Sequence, residues 1–95
     1  MAVPDHHVKS VAKAVRVVEV LDRRGRLGVT EIARETGIAK SSVYKHLDTL
    51  RHLGYVTKDE AGYALSYRWF ETGRRVRERD PVYRAAKSEL DHLAH

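Results

Sequence analysis

The chain has 95 residues, enough for one small domain that buries roughly 60–65% of the surface its unfolded form exposes, so it holds a single modest core. Eighteen Lys and Arg against 13 Asp and Glu leave a net charge of +5, which favours an acidic partner such as nucleic acid. The absence of Cys excludes disulfide scaffolds, thiol chemistry and thiolate zinc sites. No apolar run forms an export leader or approaches the about 18 residues of a membrane span, so the expectation is a soluble, cytoplasmic protein.

Residues 1–9 contain Pro4 and two His with little periodicity and read as a flexible N-terminal arm. A first helix is predicted over residues 10–24. Val11, Ala14, Val15, Val18 and Leu21 recur at helical spacing, Ser10 stands at the N-cap, two Arg occupy the last turn and Gly25 follows. Val17 and Val20 lie outside that stripe and predict a second apolar face with a second partner. Residues 23–28 read as a basic connection. A two-turn helix follows over residues 29–36, with Ile32 and Ala33 facing inward and Gly37 ending it. Beyond Gly37, Ile38 and Ala39, a third helix over residues 40–53 puts Val43, Leu47 and Leu50 on one face and stops at Gly54. Two helices joined by so short a glycine-containing turn have the sequence form of a helix-turn-helix.

Residues 55–58 and 63–66 are aromatic and β-branched runs around Asp59, Glu60, Ala61 and Gly62, the pattern of a β-hairpin. Residues 67–76, with Trp69 beside Phe70, read as a short segment that lids the core and leads into a basic run of Arg74, Arg75, Arg77 and Arg79. Asp80 and Pro81 then restart a helix as N-cap and first helical residue, with Tyr83, Ala86, Leu90 and Leu93 alternating by three and four. The fold expected is mainly α with a small β-hairpin: a winged helix-turn-helix of three helices plus wing over residues 10–76, and a C-terminal linker and dimerisation helix over residues 77–95.

In that architecture the third helix enters the major groove of double-stranded DNA and the hairpin reaches for the backbone. With Val43, Leu47 and Leu50 committed to the core, the opposite face is left with Ser41, Ser42, Tyr44, Lys45, Asp48 and His52. The base-proximal candidates are Lys40, Ser41, Ser42, Tyr44 and Lys45, because Lys donates to guanine O6 and N7, Ser serves either role, and a Tyr ring meets a thymine methyl or stacks. Thr30, Arg51 or His52, and Lys58 stand near element ends and are the candidate phosphate contacts. The run from Arg74 to Arg79 is interleaved with Glu78 and reads equally as a solvated linker. Val17, Val20, Tyr83, Leu90 and Leu93 are the candidate dimer interface. The six His are dispersed, without HExxH or a phosphate-cradling glycine loop, so neither catalysis nor a metal or other cofactor is called for. The alternative reading is a winged helix serving as a protein interaction or dimerisation module without specific DNA binding.

Three stretches together resemble the N-terminal domain of the IclR family of transcriptional regulators: KSVAKAVRVVEVL, VTEIARETGIAKSSVYKHLDTLRHLGYV and YALSYRWFETG. The middle stretch alone also fits MarR-like and ArsR-like winged helices. The resemblance covers nearly the whole chain and implies a transcription regulator, repressor or activator, that binds an inverted-repeat operator as a homodimer. It also implies that residues 81–95 correspond to a linker toward a C-terminal effector-sensing domain that is absent here, so that a small-molecule effector would act only through that domain. Several positions depart from the family's usual pattern. Gly28 stands where a Ser or Thr N-cap is common, Ala39 where Pro is frequent, and Lys45 where Arg is common, exchanging a bidentate fork for a point charge. His46 replaces a typical apolar residue and reads as a partly buried structural side chain.

Overall fold

A computed structural model describes residues 4–94 of the chain. Five helices and a small sheet follow in order: α1 (Lys9–Arg24), β1 (Arg26–Leu27), α2 (Val29–Thr36), α3 (Lys40–His52), β2 (Val56–Asp59), β3 (Gly62–Leu65), α4 (Arg68–Arg79) and α5 (Pro81–Ala94). The strands form one antiparallel sheet in the order β1-β3-β2. Of the arm expected over residues 1–9, positions 1–3 lie outside the described residues, as does position 95 of the last helix. Residues 4–8 form an exposed turn in which the His7 amide donates to the Pro4 carbonyl at 2.9 Å.

The core consists of Val17, Val20, Leu21, Leu27, Ile32, Ile38, Val43, Leu47, Val56 and Tyr63, drawn from α1, all three strands, α2, α3 and the turn before α3. Two expectations about α1 are corrected here. Val17 and Val20 are 0% and 3% exposed within this one chain and therefore form no second face, while Val11 and Val15, expected inside, are 59% and 48% exposed. With five valines in α1, helical periodicity has no unique apolar stripe to select, and the packing of α2, α3 and β3 against its C-terminal half decides which face is covered. Ser10 lies inside α1 and not at its cap, which is Val8 with no side-chain hydrogen bond.

At the start of α2 the Gly28 amide donates to Glu31 Oε1 at 3.2 Å, so a carboxylate three residues on meets the first free N–H although Gly28 has no hydroxyl to offer in return. At its end Gly37 adopts φ 73°, ψ 10°, and its amide donates to the Ala33 carbonyl at 2.9 Å. Buried Thr36 ties both sides of the turn, its Oγ1 donating to the Ile32 carbonyl at 2.7 Å and accepting from the Ile38 amide at 3.2 Å. The Arg16 guanidinium of α1 donates to the Thr36 carbonyl from 20 positions away. Only three residues separate α2 from α3, and Ile38 at 6% exposure anchors their middle in the core.

β1 occupies part of what reads as a connection in the sequence. Arg26 and Leu27 pair with Ala64 and Tyr63 of β3, a partner nearly 40 positions downstream that a two-residue strand gives no periodicity to announce. The hairpin pairs one step closer to its turn than the aromatic runs imply, with Asp59 opposite Gly62 and only Glu60 and Ala61 between. Gly62 has φ 129°, and a Cβ there would stand 2.7 Å from the Leu27 carbonyl oxygen. Hydrogen alone fits, so the third strand and the hairpin turn require glycine at this point.

The segment after the wing is not a lid. α4 runs unbroken to Arg79, across the boundary expected near residue 76, and buries none of its residues; Phe70 is 54% exposed and stacks on Tyr67 with ring centroids 5.0 Å apart. Trp69 ties it to the wing base, its indole N–H donating to the Tyr55 carbonyl at 2.8 Å. The chain breaks at Asp80, which is extended because the following Pro81 disfavours the helical region, and Asp80 Oδ1 accepts the amides of Val82 and Tyr83 at 2.8 and 3.2 Å. α5 is exposed over residues 81–93 except at Tyr83, which is half-buried. Its projection with α4 raises the radius of gyration to 17.2 Å, against about 12 Å for a compact chain of this length.

Gly62→Ala is expected to lower stability by about 2 kcal/mol or more, from backbone strain together with displacement of β1. Ala61→Gly, next to it in the turn, is expected to cost under about 1 kcal/mol. Urea denaturation of the two variants checks the difference.

Candidate nucleic-acid interface

α3 has a sharply divided surface. Val43 and Leu47 are fully buried and Leu50 packs against the same core, so the line 180° away runs through Ser41, Lys45, Asp48 and His52, all exposed. Lys40 and Tyr44 flank that line, both exposed, with Tyr44 at 53%; Ser42 is half-buried on its other edge. Lys40, Ser41, Tyr44 and Lys45 thus stand together on the first two turns, where the outermost amides of the helix also lack intrahelical acceptors. Thr49 shares the exposed side, but its hydroxyl donates to the Lys45 carbonyl at 2.8 Å. His46 is half-buried on the flank, off the outward line.

The remaining sequence-predicted residues are distributed around this helix. Thr30 is exposed in the first turn of α2, and Arg51 is exposed near the end of α3, where it shares a shallow depression with Asp48 and His52. Lys58 lies on β2 opposite Tyr63, its Nζ 5.3 Å from the centre of that ring. The wing carries one charge that sequence reasoning missed. Arg26 of β1 reaches the hairpin turn, 3.1 Å from Asp59 Oδ1 and donating to the Gly62 carbonyl at 3.2 Å, while Asp59 Oδ1 also accepts the Ala61 amide at 2.8 Å. Nothing local in the sequence announces Arg26, because its place depends on the pairing of β1 with β3.

The basic run of α4 is divided by its own contacts. Arg74 pairs with Glu78 at 3.1 Å, and the Arg77 guanidinium lies 5.2 Å from the Tyr83 ring centre. Arg68, just before the run, lies 4.8 Å from the Tyr55 ring centre. Among the described residues Arg75 and Arg79 have neither an ion pair nor a ring contact and face solvent. On α5, Leu90 and Leu93 are 67% and 79% exposed, whereas Tyr83 is half-covered beneath Arg77. The described residues contain no group of three or more His, Asp or Glu arranged to hold a metal ion, and no helix among them is long and apolar enough to cross a membrane.

A tight Gly37 turn that presents the polar face of α3, backed by α1 and α2 and flanked by a three-stranded wing, defines a winged helix-turn-helix protein. Residues 10–60 match the family model of the IclR helix-turn-helix domain. The chain is 30% identical over 89 residues to the HTH-type transcriptional regulator KdgR of Escherichia coli, an alignment covering 92% of this chain and 34% of that protein. It is 27% identical over 86 residues to the regulator KipR of Bacillus subtilis, covering 90% and 34%. Its fold superposes on an IclR transcriptional regulator from Alicyclobacillus acidocaldarius with TM-score 0.80 and 32% identity, over 94% of this chain and 37% of that one. The chain belongs to the IclR family and carries its helix-turn-helix DNA-binding domain. It spans about a third of the length of these relatives, which are transcriptional regulators.

Arg26→Ala is expected to loosen the wing turn selectively, speeding amide exchange at Ala61 and Gly62. Global stability should fall by less than about 1 kcal/mol, since both partners of the Arg26–Asp59 pair are solvent-exposed. Residue-resolved hydrogen exchange reads both.

Proposed function

We propose that this chain is the sequence-specific DNA reader of a cytoplasmic transcription regulator, with α3 laid in the major groove of double-stranded DNA. Lys40, Ser41, Ser42, Tyr44 and Lys45 face base edges. Thr30, Arg51 and Lys58 lie toward phosphates on either side, fixing register without reading sequence. The observation that carries this reading is the outward face of α3, polar and exposed directly opposite the buried Val43 and Leu47, in a basic chain of this family. Base discrimination at Lys45 is by a single ammonium and so favours guanine less sharply than a guanidinium fork would.

The operator is an inverted repeat bound by a homodimer, whose half-sites fall about 34–36 Å apart or a multiple of that. Leu90 and Leu93, with Tyr83 beside them, supply an apolar seam on α5, and exposed Val11 and Val15 replace the buried Val17 and Val20 as the contribution of α1. Response to a small-molecule effector would reside in the portion of the relatives that this chain does not span.

Selection of bound duplexes from a random pool at two salt concentrations is expected to yield a palindromic motif. The logarithm of affinity should fall by about 0.9 per phosphate neutralised for each tenfold rise in salt. Replacing Ser41 and Lys45 together by Ala should weaken binding to the selected site about tenfold or more without unfolding the chain. Capture of no duplex, or unaltered binding by the double variant, overturns the assignment of α3. For the dimer, Leu90→Asp with Leu93→Asp is expected to lower the associated fraction in sedimentation equilibrium; an unchanged fraction removes α5 from the interface.

A further inference from the structure

The outward line of α3 contains one residue that a surface built only to attract a polyanion would omit. Asp48 is exposed between Lys45, one turn before it, and His52, one turn after, and Arg51 is beside it on the rim of the same depression. Despite these neighbours its carboxylate is in no ion pair or side-chain hydrogen bond found among the described residues; the three ion pairs are Arg24–Glu35, Arg26–Asp59 and Arg74–Glu78. Nor does it serve the helix, since Asp is a poor residue for a helix interior and Asp48 lies too far from the first turn to oppose the helix dipole favourably. A bare carboxylate on a DNA-facing surface repels every phosphate near it, whatever the sequence.

We infer that Asp48 is a specificity-determining residue that accepts a hydrogen bond from the exocyclic amine of cytosine in the major groove; the inference rests on the placement of α3 proposed above. The major-groove edges leave few other choices. Guanine presents two acceptors there, and thymine an acceptor and a methyl group, all of which oppose a carboxylate. Adenine offers its N6 amine but sets the N7 acceptor beside it, so a carboxylate meets attraction and repulsion together. Cytosine presents the N4 amine without an adjacent acceptor. Asp48 lies about 4.5 Å along the helix axis from Lys45, a little more than one base step, so the cytosine belongs to the base pair that Lys45 approaches or to its neighbour. The residue therefore excludes wrong bases as much as it selects the right one, and it weakens non-specific binding while doing so.

The test compares the wild-type chain, Asp48→Ala and Asp48→Asn by selection from the same random duplex pool, followed by binding titrations on the wild-type site and on single-base variants of it. In the wild type, replacing the cytosine read by Asp48 should weaken binding about five- to tenfold. Asp48→Ala should abolish that preference at the one position, leave the others intact, and tighten binding to unrelated duplex about two- to fivefold at low salt. Asp48→Asn, which keeps the side chain's shape but adds a donor, should move the preference to adenine, whose N6 and N7 an amide meets together. A wild-type motif whose every position survives both substitutions overturns the role of Asp48 while leaving the groove reading of α3 in place. Absence of duplex binding by the wild type overturns both. Circular dichroism of the variants separates loss of readout from loss of fold.

Discussion

The direction in which α3 points depends on how the chain passes from Thr36 to Ala39. In three residues it must leave α2, reverse its local twist through the left-handed conformation at Gly37, and begin a helix that crosses the first. Thr36 holds this passage from within, bridging the Ile32 carbonyl and the Ile38 amide, while Arg16 reaches over from α1 to the Thr36 carbonyl. These contacts satisfy polar groups that would otherwise be buried unpaired, and they leave Ile38 free to enter the core. Because a base contact must be placed to within a fraction of an ångström and α3 is 13 residues long, a small change of angle at this turn becomes a large displacement at the far end. All of the candidate reading residues inherit their position from it.

The other end of α3 is held by a different device. Past Gly54 the Tyr55 amide donates back to the Leu50 carbonyl at 2.8 Å, and the carbonyls of Gly54 and Tyr55 accept from the Ser66 hydroxyl at 2.6 Å and the Trp69 indole at 2.8 Å. One short stretch of backbone thus joins the end of α3, the base of the β2–β3 hairpin and the start of α4. The wing is in turn closed from its open edge by β1, which approaches so near that Gly62 has no room for a side chain. Tyr63, 5% exposed, passes the sheet's apolar contacts into the core. α3 and the wing are therefore tied to each other through backbone hydrogen bonds, whereas α4 buries none of its residues.

Charge is sorted as carefully as packing. A net of +5 is not spread evenly: Arg24, Arg26 and Arg74 are each within salt-bridge distance of a carboxylate, and Arg68, Arg77 and Lys58 cover aromatic rings. These exposed pairs add little stability individually. The ion pairs offset three cations locally, whereas the ring contacts hold Arg68, Arg77 and Lys58 in place without cancelling their charge; Lys40, Lys45 and Arg51 of α3 are in neither kind of contact and stay exposed. Arg68, Arg74, Arg75, Arg77 and Arg79 of α4 are all exposed, so the basic density of this helix in the sequence is also present on its surface.

Much of this was determined by the sequence alone. The spacing of Val43, Leu47 and Leu50 and the glycines at positions 37 and 54 define α3 and its outward residues, and Asp80 with Pro81 marks the break between the last two helices, because these signals act over one or two turns of chain. What only the tertiary structure decided concerns contacts between distant segments. The covered face of α1 was ambiguous among five valines until α2, α3 and β3 chose Val17 and Val20. β1 is too short to have a pattern and exists because β3 offers it an edge. α4 has aromatic residues that suggest a lid, yet Phe70 remains outside since the core is already closed by the wing. Local periodicity specifies which residues share a face; which face is buried, and which charges are left free, is settled by what the rest of the chain brings against it.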